Sequence, residues 1–265
     1  MCGRRRIETE RPELALAYGD MDFELVASIA HQLPPGIVVQ LHNNGEALLY
    51  PRFGDAIDAF ESQVTNVVSN GKLLVEKANQ IIGRLDTLAI SIVENDVEAG
   101  PQREIVADFL ALKGRQKPHT ILRLNGNVNK DEWREFGLPM ATRNIHSPMG
   151  SYDYERRSPT IPEVGFCLDF MSHLAIDRNG KVSICVRFDP GHLGVIGDAS
   201  KDSLESIWSG DLRRRWKDAH IAGRRGEVPL CARCEFWGVP TGWGDEYVGG
   251  ACTGGVLQDA PDGSQ

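Results

Sequence analysis

The chain has 265 residues, of which 41% are hydrophobic and 25% charged, with a formal net charge of −8 at pH 7. This balance is typical of a globular protein with a substantial core, and it argues against a general nucleic-acid-binding protein. No apolar run approaches the ~18–20 residues of a membrane span, and we expect no secretory signal because no apolar segment follows the basic N-terminal residues. We therefore expect a cytoplasmic protein, whose six cysteines favour metal or redox chemistry over structural disulfides.

The first part of the chain alternates between predicted helices and strands. A helix is predicted over residues 12–33 and is ended by Pro34-Pro35-Gly36. The alternation predicts an α/β fold with a parallel sheet, strands that are mostly apolar on both faces, and ligand-binding residues just after the strand ends. The predicted strands are 37–41, 64–69, 87–93, 119–124 and 140–145, and the helices between them are 53–60, 73–85, 102–113 and 131–136.

The chain changes character after the fifth predicted strand. A linker-like stretch covers 152–164, a β-hairpin with an Asn-Gly turn joins 174–176 to 182–186, and an amphipathic helix covers 204–222. We divide the chain into a core over 1–150, a cysteine-rich domain over 151–240 and a glycine-rich tail over 241–265. Three basic runs are interpreted as solvated faces: Arg4–Arg6, Arg213–Arg215 and Arg224–Arg225.

Four cysteines in the second half form two separated pairs. The hairpin can bring Cys167 and Cys185 together, and the CxxC turn presents Cys231 and Cys234 to one point. Thiolates are the ligands of iron–sulfur clusters and of structural zinc. A redox-active CxxC pair or four unrelated buried cysteines are the alternatives, but the combined pattern favours a metal site, with iron–sulfur preferred over zinc. Cys252 is a candidate for an extra ligand.

The spacing and its companion residues resemble a known family. The pattern Cys-x12-Gly-x4-Cys is followed by Leu193–Asp198, by Ser203–Trp208 and by the CxxC pair. Over residues 165–238 this resembles the SPASM/twitch extension of radical S-adenosylmethionine enzymes. The resemblance implies an auxiliary [4Fe–4S] cluster. Because the longer cysteine run of some members is absent after Cys234, it implies one such cluster, on Cys167, Cys185, Cys231 and Cys234.

The same resemblance implies that the first part is a partial (β/α)6 TIM-like barrel lacking its first strand, with S-adenosylmethionine bound at the strand ends. Asn44-Gly45-Glu46 resembles the motif that holds the methionyl ammonium, with a solvated loop carboxylate as the alternative for Glu46. Ser69 and Asn70 resemble a second strand-end motif, although a plain Asn-Gly turn fits them nearly as well. Further candidates are Ser91 for the ribose or carboxylate, Arg123 and Arg103 for the carboxylate, and His146 for the substrate, with structural roles as their alternatives.

The defining Cys-x3-Cys-x2-Cys motif of the family is incomplete in this sequence. Cys2 resembles its third cysteine, so the resemblance implies an N-terminally truncated member in which two ligands of the S-adenosylmethionine-binding cluster are missing. A second [4Fe–4S] cluster is expected only if the N-terminus is complete.

The resulting hypothesis is an oxidoreductase that cleaves S-adenosylmethionine to a 5′-deoxyadenosyl radical and abstracts hydrogen from a peptide, protein or small-molecule substrate. Its expected partners are that substrate and an electron donor such as a flavodoxin or ferredoxin, with no nucleic acid and no membrane. Two alternatives stay open. One is a catalytically inactive iron–sulfur module that binds peptides, and the other is a structural protein braced by zinc.

Overall fold

The computed structural model describes residues 3–43, 45–143, 167–232 and 234, with side chains from residue 7 onward. Among these residues no helix is long and apolar enough to cross a membrane. The helices are α1 (Gly3–Glu10), α2 (Phe23–Gln32), α3 (Phe53–Ala59), α4 (Ala78–Ile81), α5 (Ala99–Lys113), α6 (Asp131–Arg134), α7 (Leu168–Ser172), α8 (Leu204–Trp208) and α9 (Asp211–Ile221), with 3-10 turns at Pro12–Leu14, Ala47–Leu49 and Arg225–Glu227. The strands are β1 (Val38–Gln40), β2 (Val64–Ser69), β3 (Thr87–Val93), β4 (His119–Asn125), β5 (Met140–Arg143), β6 (Ala175–Ile176), β7 (Lys181–Ser183) and β8 (Val195–Asp198).

The first five strands form one parallel sheet in the order β1-β2-β3-β4-β5. Each strand is joined to the next through a helical segment, as parallel pairing requires. The predicted α/β fold is therefore confirmed, and the arrangement is that of a partial TIM-like barrel. Because all five strands run in the same direction, their C-terminal ends meet along one edge of the sheet.

The two faces of this sheet differ in chemistry. One face packs on the helices and is mostly apolar, since Leu88, Ile90 and Ile92 on β3 share a buried core with Val106 and Phe109 on α5. The opposite face, called here the inner face, is polar. Its side chains include Asn66, Thr87, Ser91, Arg123, Asn125 and Arg143, which the parallel register places side by side across β2 to β5. The expectation of strands apolar on both faces is thus wrong for the inner face.

Three predicted helices differ from the observed ones. Residues 12–33 do not form one helix, because α2 begins only at Phe23, after Asp22 caps it by accepting a hydrogen bond from the Glu24 amide at 2.8 Å. The stretch 73–85 contains only the short α4. The predicted helix over 204–222 breaks into α8 and α9 at Gly210, whose extended backbone starts the second helix. In each case the apolar period of the sequence continues past a local turn or cap, and that turn or cap limits the helix.

The second sheet is antiparallel, in the order β6-β7-β8, and confirms the predicted hairpin. Gly180 closes the turn between β6 and β7 at φ +85°, a conformation that favours glycine. Helix α2 joins the two sheets: Val26 and Ile29 pack against Val182 on β7 and Ile207 on α8. The two halves of the chain therefore share one apolar core.

Candidate functional site

The four cysteines of the predicted metal site come together in a single apolar cluster. Cys167 caps α7, Cys185 follows β7, and Cys231 and Cys234 lie on the last described turn. Cys167 and Cys231 are buried, the other two are half-buried, and none forms a disulfide. The hairpin and the CxxC turn thus bring the pairs together as their spacing predicts, although their role as metal ligands stays a prediction.

The electrostatics of these thiols reflect both burial and mutual proximity. Burial raises the pKa of the Cys185 thiol to about 12, and Asp169 and Cys167 contribute to the same direction. Burial also raises the pKa of Cys231, followed by the charges of Cys167, Cys234 and Cys185. A metal that binds here must therefore displace protons and stabilise the thiolates that this environment otherwise disfavours.

The described thiols are not at the spacing of a mononuclear zinc site. Within the described part of the chain, the one set of three ligand-type side chains whose donor atoms all lie within 4.8 Å of one another is Asp169, His173 and Cys185. No three of the four cysteine sulfurs meet that spacing. A tetrahedral zinc site with Zn–S bonds of about 2.3 Å would hold its sulfurs only about 3.8 Å apart.

An arginine that the sequence interpretation treated as solvated stabilises the CxxC turn. The Arg225 guanidinium donates to the carbonyl oxygen of Cys231 and, at 3.2 Å, to that of Cys234. Its neighbour Arg224 is exposed and pairs with Glu227 at 3.4 Å. The interpretation of this basic run as a solvated face is therefore wrong for Arg225, whereas it agrees with the exposure of Arg224. A basic run gives no sequence signal that separates the two.

Arg213 is a second correction of the same kind. It is 5% exposed, and its guanidinium stacks 3.3 Å from the centroid of the Trp208 ring. It also donates to the carbonyl oxygens of Phe170 at 3.3 Å and Met171 at 3.4 Å, on the helix that starts at Cys167. Arg213 thus connects α7, the helix that follows Cys167, to α8 and α9.

The turn after β1 is fastened to the end of β2 through Glu46. Its Oε1 accepts hydrogen bonds from the Leu48 amide at 3.1 Å and the Ser69 hydroxyl at 2.8 Å, and its Oε2 accepts one from the Asn70 amide at 2.9 Å. A carboxylate has about four acceptor positions, so one remains on Oε2 for a further donor such as an ammonium group. Ser69 is 2% exposed, and it orients Glu46 rather than facing a ligand itself.

The strand ends beside this turn are held by residues that the sequence analysis did not single out. Gln102 on α5 is 1% exposed, and its amide donates to the carbonyl oxygens of Asn70 at 2.6 Å and Ser91 at 3.0 Å. Gly71 adopts φ +75°, and a Cβ there would lie 2.8 Å from the Ile90 side chain. A glutamine inside an amphipathic helix carries no pattern that would have revealed this role.

Two predicted residues and one unpredicted residue meet on the inner face. Ser91 on β3 is in register with Arg123 on β4. His42, just beyond β1, accepts a hydrogen bond at Nδ1 from the Val68 amide at 3.2 Å. Burial, together with the charge of Arg123, lowers the pKa of His42 to about 4. The imidazole is therefore neutral at pH 7, with its proton on Nε2.

The cysteine cluster lies next to the C-terminal edge of the parallel sheet. Burial and the charge of Arg187, two residues after Cys185, lower the pKa of Arg143 at the end of β5, and Asp169, two residues after Cys167, partly opposes this shift. The expected metal centre and the expected cofactor-binding edge are thus neighbours. Arg103 does not share this location, because its exposed side chain pairs with Glu135. Cys2, Asn44, His146 and Cys252 lie outside the described residues, and Gly45 is exposed in the turn before Glu46.

Comparison with known proteins gives matches of two kinds. Residues 167–235 match the SPASM family, an iron–sulfur cluster-binding domain. The fold is similar to the crystal structure of BtrN in complex with AdoMet and 2-DOIA, with a TM-score of 0.56, 16% identity, and coverage of 82% of this chain and 81% of that one. An open conformation of BtrN gives a TM-score of 0.49 at 17% identity over 82% of this chain and 80% of that one. A comparison with curated protein sequences found no match.

The family match begins at the first cysteine of the apolar cluster and includes the other three. The fold match extends over most of the chain, including a sheet whose C-terminal edge borders that cluster. Residues 167–235 therefore match a SPASM iron–sulfur cluster-binding domain, and the fold of the chain is similar to that of BtrN.

Proposed function

We propose that this iron–sulfur protein acts in radical S-adenosylmethionine chemistry, with hydrogen abstraction from a peptide, protein or small-molecule substrate. The observation that carries the proposal is the position of the SPASM cysteines beside the C-terminal edge of the parallel sheet, where Glu46, Ser91 and Arg123 lie. That edge is where α/β folds of this kind bind their ligands. BtrN, which shares the fold, is a protein crystallised with AdoMet.

The described residues fit an auxiliary cluster and S-adenosylmethionine. Cys167, Cys185, Cys231 and Cys234 would hold an auxiliary [4Fe–4S] cluster, since their thiols converge in an apolar site and residues 167–235 match an iron–sulfur cluster-binding domain. When bound, S-adenosylmethionine and a separate reduced [4Fe–4S] cluster, for which Cys2 is the candidate ligand, would together supply methionine and a 5′-deoxyadenosyl radical that takes a hydrogen atom from the substrate. The electron would come from a donor such as a flavodoxin or ferredoxin.

The chain's own groups have separate tasks in this proposal. The remaining acceptor position on Glu46 Oε2 would bind the methionyl ammonium, and the Ser91 hydroxyl would contact the ribose or the carboxylate. Gln102 and Ser69 hold these groups in place from behind the sheet edge. The neutral His42 would offer its Nε2–H as a donor to a bound group on the inner face.

A second candidate is a cluster-bearing homologue that binds ligand without cleaving it. The observation that favours it is that the family match covers the cluster-binding residues 167–235 and not the parallel sheet. In this alternative the SPASM cluster and its neighbouring surface would serve recognition alone.

Iron and sulfide analysis of anaerobically prepared protein tests the ligand assignment. We expect about four irons per chain for one [4Fe–4S] cluster and about eight for two. Cys231→Ala should remove one cluster, because an apolar site with three thiolates no longer satisfies it, whereas Cys252→Ala should leave iron unchanged. Zinc without iron, or unchanged iron in Cys231→Ala, would contradict the assignment.

The two candidates separate when the loaded protein is reduced with dithionite in the presence of S-adenosylmethionine. Formation of 5′-deoxyadenosine, measured by chromatography, supports the enzyme. Binding of S-adenosylmethionine without any 5′-deoxyadenosine supports the non-cleaving homologue. Neither binding nor cleavage by protein with full iron content would overturn both.

A further inference from the structure

Two arginines on the inner face form no direct ion pair with any described residue. Arg123 lies on β4 and Arg143 ends β5. Asn125 is in register with Arg143, and Arg123 lies two residues before Asn125, so both arginines project from the same face. Neither guanidinium forms a hydrogen bond or ion pair in the described part of the chain, and the Nε atom of Arg123 is buried without a partner.

The SPASM domain adds charged groups at the border of this pair. Arg187 lies beside Arg143, and its Nη2 is 4.0 Å from Asp169 Oδ2. The charge of Arg143 also reaches Arg123, and with burial it lowers the pKa of Arg123 to about 10. Arg123, Arg143 and Arg187, called here the arginine row, therefore act on one another in that order.

Such a row is unusual in a chain with a net charge of −8. Like charges in a partly desolvated site repel, and an anion that binds between them removes this repulsion. Guanidinium groups present paired N–H donors that match the oxygen atoms of a carboxylate or phosphate. The neutral His42 beside Arg123 adds no competing charge. Arg143 remains accessible, because more than a third of its surface is exposed.

We propose that Arg143 binds the carboxylate or phosphate group of an anionic substrate at the C-terminal end of β5, while Arg123 beside it stays the candidate for the cofactor's carboxylate. This inference rests on the proposed function and adds the chemical class of the substrate. S-adenosylmethionine also carries a carboxylate. The groups expected to hold that cofactor, Glu46, Ser91 and Arg123, lie on or beside β1 to β4, whereas Arg143 lies on β5 toward the SPASM cysteines.

Calorimetric titration of the cluster-loaded full chain with inorganic phosphate tests this assignment, with and without saturating S-adenosylmethionine. We expect phosphate to bind in both conditions, and Arg143→Gln to weaken its affinity by about tenfold or more, as loss of a charge-assisted bidentate contact should. The affinity for S-adenosylmethionine should change less than about twofold. Arg143→Lys, which keeps the charge but not the paired donors, should be intermediate.

Arg115→Gln is the matched control, since Arg115 is exposed before β4 at the opposite end of the strands. Equal phosphate affinity in Arg143→Gln, Arg115→Gln and the unaltered chain would overturn the inference. So would loss of phosphate binding once S-adenosylmethionine is bound, together with weakened cofactor binding in Arg143→Gln, since the site would then be the cofactor's carboxylate site. If the unaltered chain binds phosphate but not S-adenosylmethionine, the proposed function fails and the anion site stands.

Discussion

At the scale of single residues, His42 links the inner face to the stability of the sheet. Its Nδ1 accepts a hydrogen bond from the Val68 amide, which a protonated imidazole could not do. Burial and Arg123 lower its pKa from 6.5 to about 4. The position follows an apolar strand and carries no motif, so the sequence analysis passed over it, whereas the neighbouring Gly45-Glu46 stood out through its resemblance.

The lowered pKa of His42 predicts a pH-dependent free energy of unfolding. Between about pH 6.5 and 4 the unfolded chain binds a proton at this residue and the folded chain does not, so stability should fall as pH decreases through that window, by up to about 3 kcal/mol. His42→Asn should flatten the pH dependence measured by urea unfolding, compared with His31→Asn at an exposed site. Identical slopes for both variants would contradict the assignment.

At the scale of elements, the CxxC turn depends on a residue outside the metal-ligand pattern. The spacing of the cysteines predicts that the two pairs converge, because a hairpin and a tight turn are local structures with clear sequence signals. The carbonyl contacts of Arg225 have no such signal, since they depend on how the turn folds back onto the preceding 3-10 helix. The same holds for Arg213, whose burial follows from the break between α8 and α9.

Removing the Arg225 contacts should loosen the turn that presents Cys231 and Cys234. We expect Arg225→Gln to lower the free energy of unfolding by about 1–3 kcal/mol, because two buried carbonyl groups lose a charged donor, and to speed loss of iron to a chelator. Arg224→Gln is the control, with an expected change below about 0.5 kcal/mol, since its ion pair with Glu227 is exposed. Equal rates of iron loss in Arg225→Gln and Arg224→Gln would contradict the stabilising role of the Arg225 hydrogen bonds.

At the scale of the whole molecule, the sheet and the SPASM domain share the core around α2. The order of strands and helices predicts the parallel sheet, since the βα alternation leaves few other arrangements. The contact between the halves could not be predicted, because the pairing of Ile29 with Val182 and Ile207 depends on how distant segments meet. The hydrogen bond from the Leu204 amide to Gln32 Oε1 at 2.8 Å is equally long-range.

This shared core predicts cooperative unfolding of the two halves. Ile207→Ala should lower stability by about 2–4 kcal/mol, because Ile207 is buried and fills the space beside Gly197. The loss should appear equally in far-UV ellipticity and in the reactivity of the SPASM thiols. Ile221→Ala, at a position 62% exposed, should change either signal little. Separate transitions for the two signals would show that the halves unfold independently.

The position of α2 also bears on how such proteins change over evolution. The helix comes from residues 23–32, yet its apolar side completes the packing of strands that the chain reaches only after residue 174. The cluster-binding extension therefore cannot be exchanged as one contiguous segment without affecting its packing on α2. A chimaera that takes this extension from a relative should need compensating substitutions on α2, more than a hundred residues away in the sequence.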